Sequence, residues 1–274
     1  MRIVTADERL AEHKGVKILI TGPVGVGKTS LLRGLKLKST LFVDIEAGDL
    51  AVADLVVDTV RPRSWPEFRD LACALGGPNP AVAEGGVYSQ EHYDAVVGQF
   101  SDLKRYDTIF VDSITAASRL SFVYAAQQPE AFTERGRKDL RGTFGLHARE
   151  MIAALSELQH ARALAVIFVA ILEQVTDDVG RTSWGIQMEG QRTARELPGI
   201  IDEILTMNWI SFDGSEPVRA FITSNPNQWS WPGKDRSGRL ELIEEPDLGK
   251  LIAKITAPRA DRVEPQVKAK GGKL

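Results

Sequence analysis

An α/β fold with a mostly parallel central sheet is predicted from three features of the sequence. Apolar, β-rich runs recur at 16–20 (VKILI), 40–45 (TLFVDI), 107–112 (DTIFVD), 164–171 (LAVIFVAI), 203–210 (EILTMNWI) and 219–224 (RAFITS). Several are apolar throughout rather than alternating, the pattern of strands covered on both faces. Helical patterns lie between them, and strands alternating with helices signal a parallel sheet with flanking helices. The clearest helix spans 145–161, where Leu146, Met151, Leu155 and Leu158 fall near one face. The last two runs, joined by the short turn SFDGSEP, read as an antiparallel C-terminal extension.

The chain has 274 residues, 43% of them hydrophobic, enough for one sizeable core. One domain is expected over 1–256, followed by a flexible basic tail at 257–274 that ends VKAKGGKL. A net charge of -3 and a pI near 5.9 would not attract a polyanion, so nucleic-acid binding would need local basic patches. Cys73 stands alone, which excludes an internal disulfide framework, and His13, His92, His147 and His160 lack metal-ligand spacing. A reducing cytoplasmic location is expected. The N-terminus lacks a signal-type apolar segment, and no run approaches the roughly 18 apolar residues of a membrane span, so no membrane partner is expected. Three segments read as long irregular loops: 76–90, 127–142 and 174–199.

The stretch LITGPVGVGKTS carries the chemistry. Gly22 to Thr29 fits G-x-x-x-x-G-K-[ST] in full, after a predicted strand and before the helical pattern TSLLRGLKL. Gly22, Pro23, Val24, Gly25, Val26, Gly27, Lys28, Thr29 and Ser30 are therefore the expected nucleotide-binding residues of a P-loop. The glycines let backbone N–H groups face the phosphates. Lys28 would reach the β- and γ-phosphates of ATP, and the Thr29 hydroxyl would bind Mg²⁺. Asp112, at the end of the run IFVD, is expected at the rim of the sheet as the Walker B carboxylate on the same metal, with Ser113 beside it. Hydrolysis also needs a group that orients water. Asp44 and Glu46 end a strand expected to neighbour the P-loop strand; the other reading for both is a solvated strand end or a helix cap.

These pieces, in this order, resemble the RecA-like ATPase core over residues 16–255. The P-loop is followed by FVDIEAGD, the Walker B run IFVDS, a basic loop, GLHAREMIAALSEL, AVIFVAI and a long polar loop. RELPGIIDEILTM with WPGKDRSGRLELIEEPDLGKLI is similar to the short phage-encoded RecA-like ATPases implicated in single-strand annealing and recombination. The resemblance implies a core domain alone. It implies that Glu46 activates water and that Lys234 and Arg236 in GKDRSG reach into the next subunit's ATP site, so that hydrolysis waits for self-association as a ring or filament. A solvated hairpin turn is the other reading of KDRSG. The two later loops correspond to places where RecA-like proteins contact DNA. The first holds Arg135, Arg137, Lys138 and Arg141; the second holds Arg181, Trp184, Arg192 and Arg195. Cations could track a phosphate backbone and the indole could stack on a base, although charge runs are usually solvated faces. RecA carries a polar pair at the end of the strand before its second DNA loop, where this chain has Ala170 and Ile171, with Glu173 and Gln174 slightly later.

The leading reading is thus a phage or prophage-type recombination ATPase that assembles on single-stranded DNA, with a single-strand-binding protein as a possible partner. A RecA-like helicase or helicase-loading ATPase would share every nucleotide-site residue. A small-molecule kinase would need a lid of clustered arginines and an acceptor pocket, for which KDRSG is a poor substitute. A nucleotide-gated DNA-binding protein with little turnover would tolerate loss of Glu46.

Overall fold

The computed structural model describes residues 3–12, 14–100, 102–176, 179–211 and 216–257. The expected tail therefore lies, from residue 258 on, outside the described residues, as does most of the SFDGSEP turn. Among the described residues ten strands form the sheet: β1 (Lys17–Gly22), β2 (Thr40–Asp44), β3 (Asp58–Val60), β4 (Thr108–Asp112), β5 (Ala165–Thr176), β6 (Thr182–Ile186), β7 (Glu203–Ile210), β8 (Val218–Ile222), β9 (Lys234–Asp235) and β10 (Ile243–Glu244). The helices are α1 (Ala6–Ala11), α2 (Trp65–Gly76), α3 (Gln90–Val97), α4 (Ile114–Ala125), α5 (Leu140–His160), α6 (Gln191–Ile200) and α7 (Leu248–Thr256).

The strand order is β10-β8-β7-β1-β5-β4-β2-β3, with β6 paired to β5 and β9 to β7. The pairs from β7 through β1, β5, β4 and β2 to β3 are parallel, and β8, β10, β6 and β9 pair antiparallel. This is the predicted class, an α/β fold with an antiparallel extension at its C-terminal end. Alternate residues of the buried strands feed two cores. Leu19, Val43, Val111 and Phe168 meet α2, α4 and α5 through Phe68, Ile114, Met151 and Leu155. Ile18, Ile20, Phe42, Phe110 and Ile167 meet Leu31, Leu32, Leu248 and Leu251 on the opposite face. A third cluster, with Leu172, Ile210, Ile222 and Trp231, packs the antiparallel end, where Trp229 and Trp231 stack at 5.2 Å.

Three expectations are corrected. The segment after the P-loop, expected to be helical through TSLLRGLKL, continues unbroken only over Thr29–Gly34 and as a 3₁₀ helix; α7 packs close on its end, and a Cβ on Gly249 would meet the Gly34 carbonyl oxygen at 2.4 Å. The region 174–199 is largely regular, holding the end of β5, all of β6 and most of α6. Its polar composition belongs to a hairpin that is exposed at its tip and packs Leu172, Trp184 and Ile186 at its base. Finally, β2 does not neighbour β1: β5 and β4 lie between them. Order along the chain is not order in a crossover-connected sheet.

Candidate nucleotide site

Strand β1 ends at Gly22 and hands the chain to a loop that only glycine permits at three positions. Gly25 and Gly27 have φ of 78° and 98°, in the left-handed region, and a Cβ on Gly22 would lie 2.4 Å from the Met207 carbonyl oxygen of β7. The Lys28 ammonium donates to the carbonyls of Gly22 and Pro23, each at 2.8 Å, and so folds back across its own loop. Burial holds its pKa below the ordinary lysine value, while Asp112 and Glu46 oppose that shift.

The other wall comes from β4 and β2. Asp112 is 5% exposed, and its carboxylate accepts the Thr29 hydroxyl at 2.5 Å. Burial pushes the Asp112 carboxyl up to about 6; Glu46 and Asp44 add to the rise, and the Thr29 hydroxyl and Lys28 work against it. Glu46 reaches the site although β2 lies three strands from β1, because its backbone is tied to the end of β4. The N–H groups of Ile45 and Glu46 donate to the Asp112 carbonyl at 2.8 and 3.3 Å, and Ser113 donates its hydroxyl to the Glu46 carboxylate at 2.5 Å. Asp44 is neither a solvated strand end nor a helix cap: buried, it accepts the Gly48 N–H at 3.0 Å and faces Arg61 at 3.4 Å. Gly25, Lys28, Thr29, Glu46, Asp112 and Ile171 are among the residues lining one cavity of about 330 Å³. It sits outside the carboxyl ends of parallel strands, where open α/β sheets place their ligands. A loop of N–H groups and a lysine face two carboxylates and a hydroxyl across it, an arrangement suited to a triphosphate and its counter-cation.

A family model described as AAA domain matches residues 14–237, the phosphate loop and both acidic strands included. The chain belongs to this family. No curated protein matches it in sequence. Similar solved structures include an ATPase from the type III secretion system of pathogenic bacteria, at 16% identity and TM-score 0.41, covering 71% of this chain and 51% of that one. The chain thus spans about half the length of that ATPase. A KaiC-like protein from the archaeon Pyrococcus horikoshii OT3 is similar at 13% identity and TM-score 0.36, covering 76% of this chain and 78% of that one. The RadB recombinase is similar at 17% identity and TM-score 0.36, covering 77% and 89%.

The remaining expected site residues of this AAA domain fall into two groups. Lys234 and Arg236 lie by the amino end of β7, since Lys234 pairs with Ile204 and Asp235 with Glu203. Neither meets this chain's own phosphate loop. The Lys234 ammonium donates to the carbonyls of Pro198 and Ile201 at 2.5 and 2.7 Å, and Arg236 pairs with Asp202 at 2.6 Å. The DNA-loop residues are dispersed over three places: the segment leading into α5, the β5–β6 hairpin and α6. Arg135, Arg137, Lys138 and Arg141 are exposed and form no ion pair among the described residues. Asp139, within that run, is spent capping α5 through the N–H groups of Arg141 and Gly142. Arg181 is exposed on the hairpin edge, and Trp184 packs half-buried against the third cluster. Arg192 pairs with Glu196 at 2.9 Å and Arg195 bonds Gln191 at 2.9 Å, along α6. The imidazole of His147 meets the Glu189 carbonyl at 2.7 Å, joining α5 to the start of α6.

Sequence reading named Ser113, the cap of α4, but missed the hydroxyls that follow it along the helix. Ser113, Thr115, Ser118 and Ser121 are all buried. Thr115 accepts the Ile171 N–H at 3.1 Å and donates to the Gln187 carbonyl at 3.0 Å. Ser118 accepts the Glu189 N–H at 2.8 Å, and Ser121 meets His147 at 3.0 Å. One helix thus connects Glu46, through its cap Ser113, to the segment leading into α6. The signal available was the spacing of Thr115, Ser118 and Ser121, every third residue in a helical pattern that is otherwise apolar apart from Arg119.

Proposed function

We propose that the chain is a Mg²⁺-dependent ATPase of the phage or prophage recombination type that assembles on single-stranded DNA. The observation that carries this reading is the unpaired cation group, Arg135, Arg137, Lys138 and Arg141, at the start of the same α5 that α4 joins to the nucleotide site. Four cations without carboxylate partners among the described residues, in an acidic protein, are available to phosphates. Water attacks the γ-phosphorus with Glu46 orienting it, and Lys28 neutralises charge on the transferring group. Among the described residues no cluster of three or more acidic, His or Cys side chains offers a metal cage. A single carboxylate, Asp112, with the Thr29 hydroxyl suits Mg²⁺, which keeps waters and takes its other ligands from phosphate. When bound, the ion would spread the negative charge of the β- and γ-oxygens.

The hydroxyls of α4 supply a coupling route where Ala170 and Ile171 offer no polar side chain: a change at Glu46 reaches Gln187 and Glu189 through one helix. For the cation in trans, Arg236 is the better of the two, with a side chain 49% exposed that would release a surface ion pair to Asp202 and a long bond to the Gly199 carbonyl at 3.3 Å. Lys234 would first have to leave two carbonyls. The deciding experiment is steady-state ATP hydrolysis against protein concentration, with and without single-stranded DNA. Turnover per chain that rises with concentration, and further with DNA, is expected. A rate indifferent to both would overturn assembly and DNA dependence together, leaving a self-contained ATPase.

A further inference from the structure

The two flanks of the phosphate loop differ in chemistry. On the β5, β4 and β2 side stand Asp112 and Glu46, which line the cavity; on the β7 and β8 side, beyond the residues that line it, stand an indole and a guanidinium that hydrolysis does not use. Strand β7 runs on past the carboxyl end of β1, and its register sets Trp209 directly opposite Arg219 of β8. Trp209 is 54% exposed. The Arg219 guanidinium carbon lies 5.6 Å from the centre of the Trp209 ring. One terminal nitrogen of Arg219 presses on the loop itself, 2.4 Å from where a Cβ on Gly27 would lie. Arg219 is exposed and forms no ion pair among the described residues.

A nucleoside triphosphate has two ends. Its γ end must face Asp112 and Glu46, so the nucleoside leaves the loop on the other flank, toward β7 and β8. There it meets two planar groups, each of which binds the π face of a base: an indole by stacking, a guanidinium by stacking and cation–π attraction. We propose that Trp209 and Arg219 form the nucleobase platform of this site, in the same chain as the phosphate loop. The platform offers broad planar contact, which favours purine over pyrimidine triphosphates. It rests on the nucleotide reading of the loop and adds to it the residues that hold the base.

The test compares ATP with inorganic tripolyphosphate, which has the phosphates and no base, by calorimetric titration of the full chain. Trp209→Ala and Arg219→Ala are each expected to weaken ATP binding about tenfold, within the range of one base–aromatic contact, and to leave tripolyphosphate within twofold. Equal losses of the two ligands, or unchanged ATP affinity, would overturn the platform. Lys28→Ala is expected to weaken both ligands; if it weakens neither, the phosphate-loop reading fails, whatever the two platform variants do. Trp209→Phe guards against misfolding. It should keep ATP affinity within threefold and lose the quenching of tryptophan emission that ATP produces in the unmodified chain. Quenching that persists in Trp209→Phe, or is absent from the unmodified chain, counts against stacking on Trp209.

Discussion

Lys17 and Lys28 stand at the two ends of β1, both buried or half-buried, both bonded to backbone carbonyls, and they do different work. Lys17, 3% exposed, donates to the carbonyls of Gly15, Ala161 and Leu164 at 3.3, 3.0 and 2.6 Å. Two of those acceptors come from the turn after α5, so the ammonium pins a distant connection to the amino end of the sheet. Burial pushes it down to about 8, against the pull of Asp202. Lys28 bonds only its own loop and faces two carboxylates across a cavity. Its acceptors can be exchanged for phosphate oxygens without breaking anything between elements. A buried lysine is structural when its partners are remote and fixed; it is available when they are local and replaceable.

The sharpest way to break the comparison is Lys28→Ala. Turnover should fall by more than about 10³-fold, because binding and transition-state stabilisation are lost together, while the thermal midpoint stays close to that of the unmodified chain. Glu46→Gln should come next, with turnover down about 10²- to 10⁴-fold and ATP affinity retained; a fall in affinity of the same size would make Glu46 a binding group. The pH profile follows. Asp112 carries its proton up to about 6 in the fold against an ordinary 3.8. Because the fold holds that proton more tightly than the open chain does, this group's contribution to stability falls as pH rises from about 4 to 6 and is flat above. Cation binding needs the ionised form, so at limiting Mg²⁺ the ATPase rate should climb about tenfold for each pH unit below 6 and level above it. A profile flat from pH 5 to 7 at limiting Mg²⁺ would remove Asp112 from the metal site.

Smaller effects test the connection and the scaffold. Thr115→Val removes the hydroxyl between Ile171 and Gln187; it should reduce stimulation by DNA about threefold, a coupling loss typical of one network residue, with the DNA-free rate unchanged. Lys17→Met should leave the rate per folded molecule within about twofold and cost about 1 to 3 kcal/mol of stability, read as a lower thermal midpoint, because three carbonyls lose their donor. A large loss of rate there would erase the distinction between the two lysines.

Much of this was legible along the chain. The P-loop declares itself because its chemistry is local: glycines, a lysine and a hydroxyl must lie within a few residues of one another to wrap phosphate. Asp112 was legible because a carboxylate ending an apolar run must surface at the rim of the sheet. The separation of β2 from β1 was not, since crossover helices erase the relation between chain order and sheet order. Nor was the short 3₁₀ helix after the loop, which ends against α7, an element more than 200 residues later.

The sequence by itself determined the fold class and the phosphate loop, both of which depend on spacing within short segments; that the core is divided between the two faces of the sheet came from the structure. Only the tertiary structure decided which of two neighbouring acids faces the cavity. Glu46 arrives there because the Asp112 carbonyl and the Ser113 hydroxyl hold its backbone and carboxylate, while Asp44 turns to Gly48 and Arg61. Only the structure placed Arg219 beside Gly27 and Trp209 opposite Arg219, because strand register brings together residues that the sequence keeps apart. Spacing along a chain specifies local chemistry; the meeting of remote side chains is set by packing and by hydrogen bonds that have no local signature.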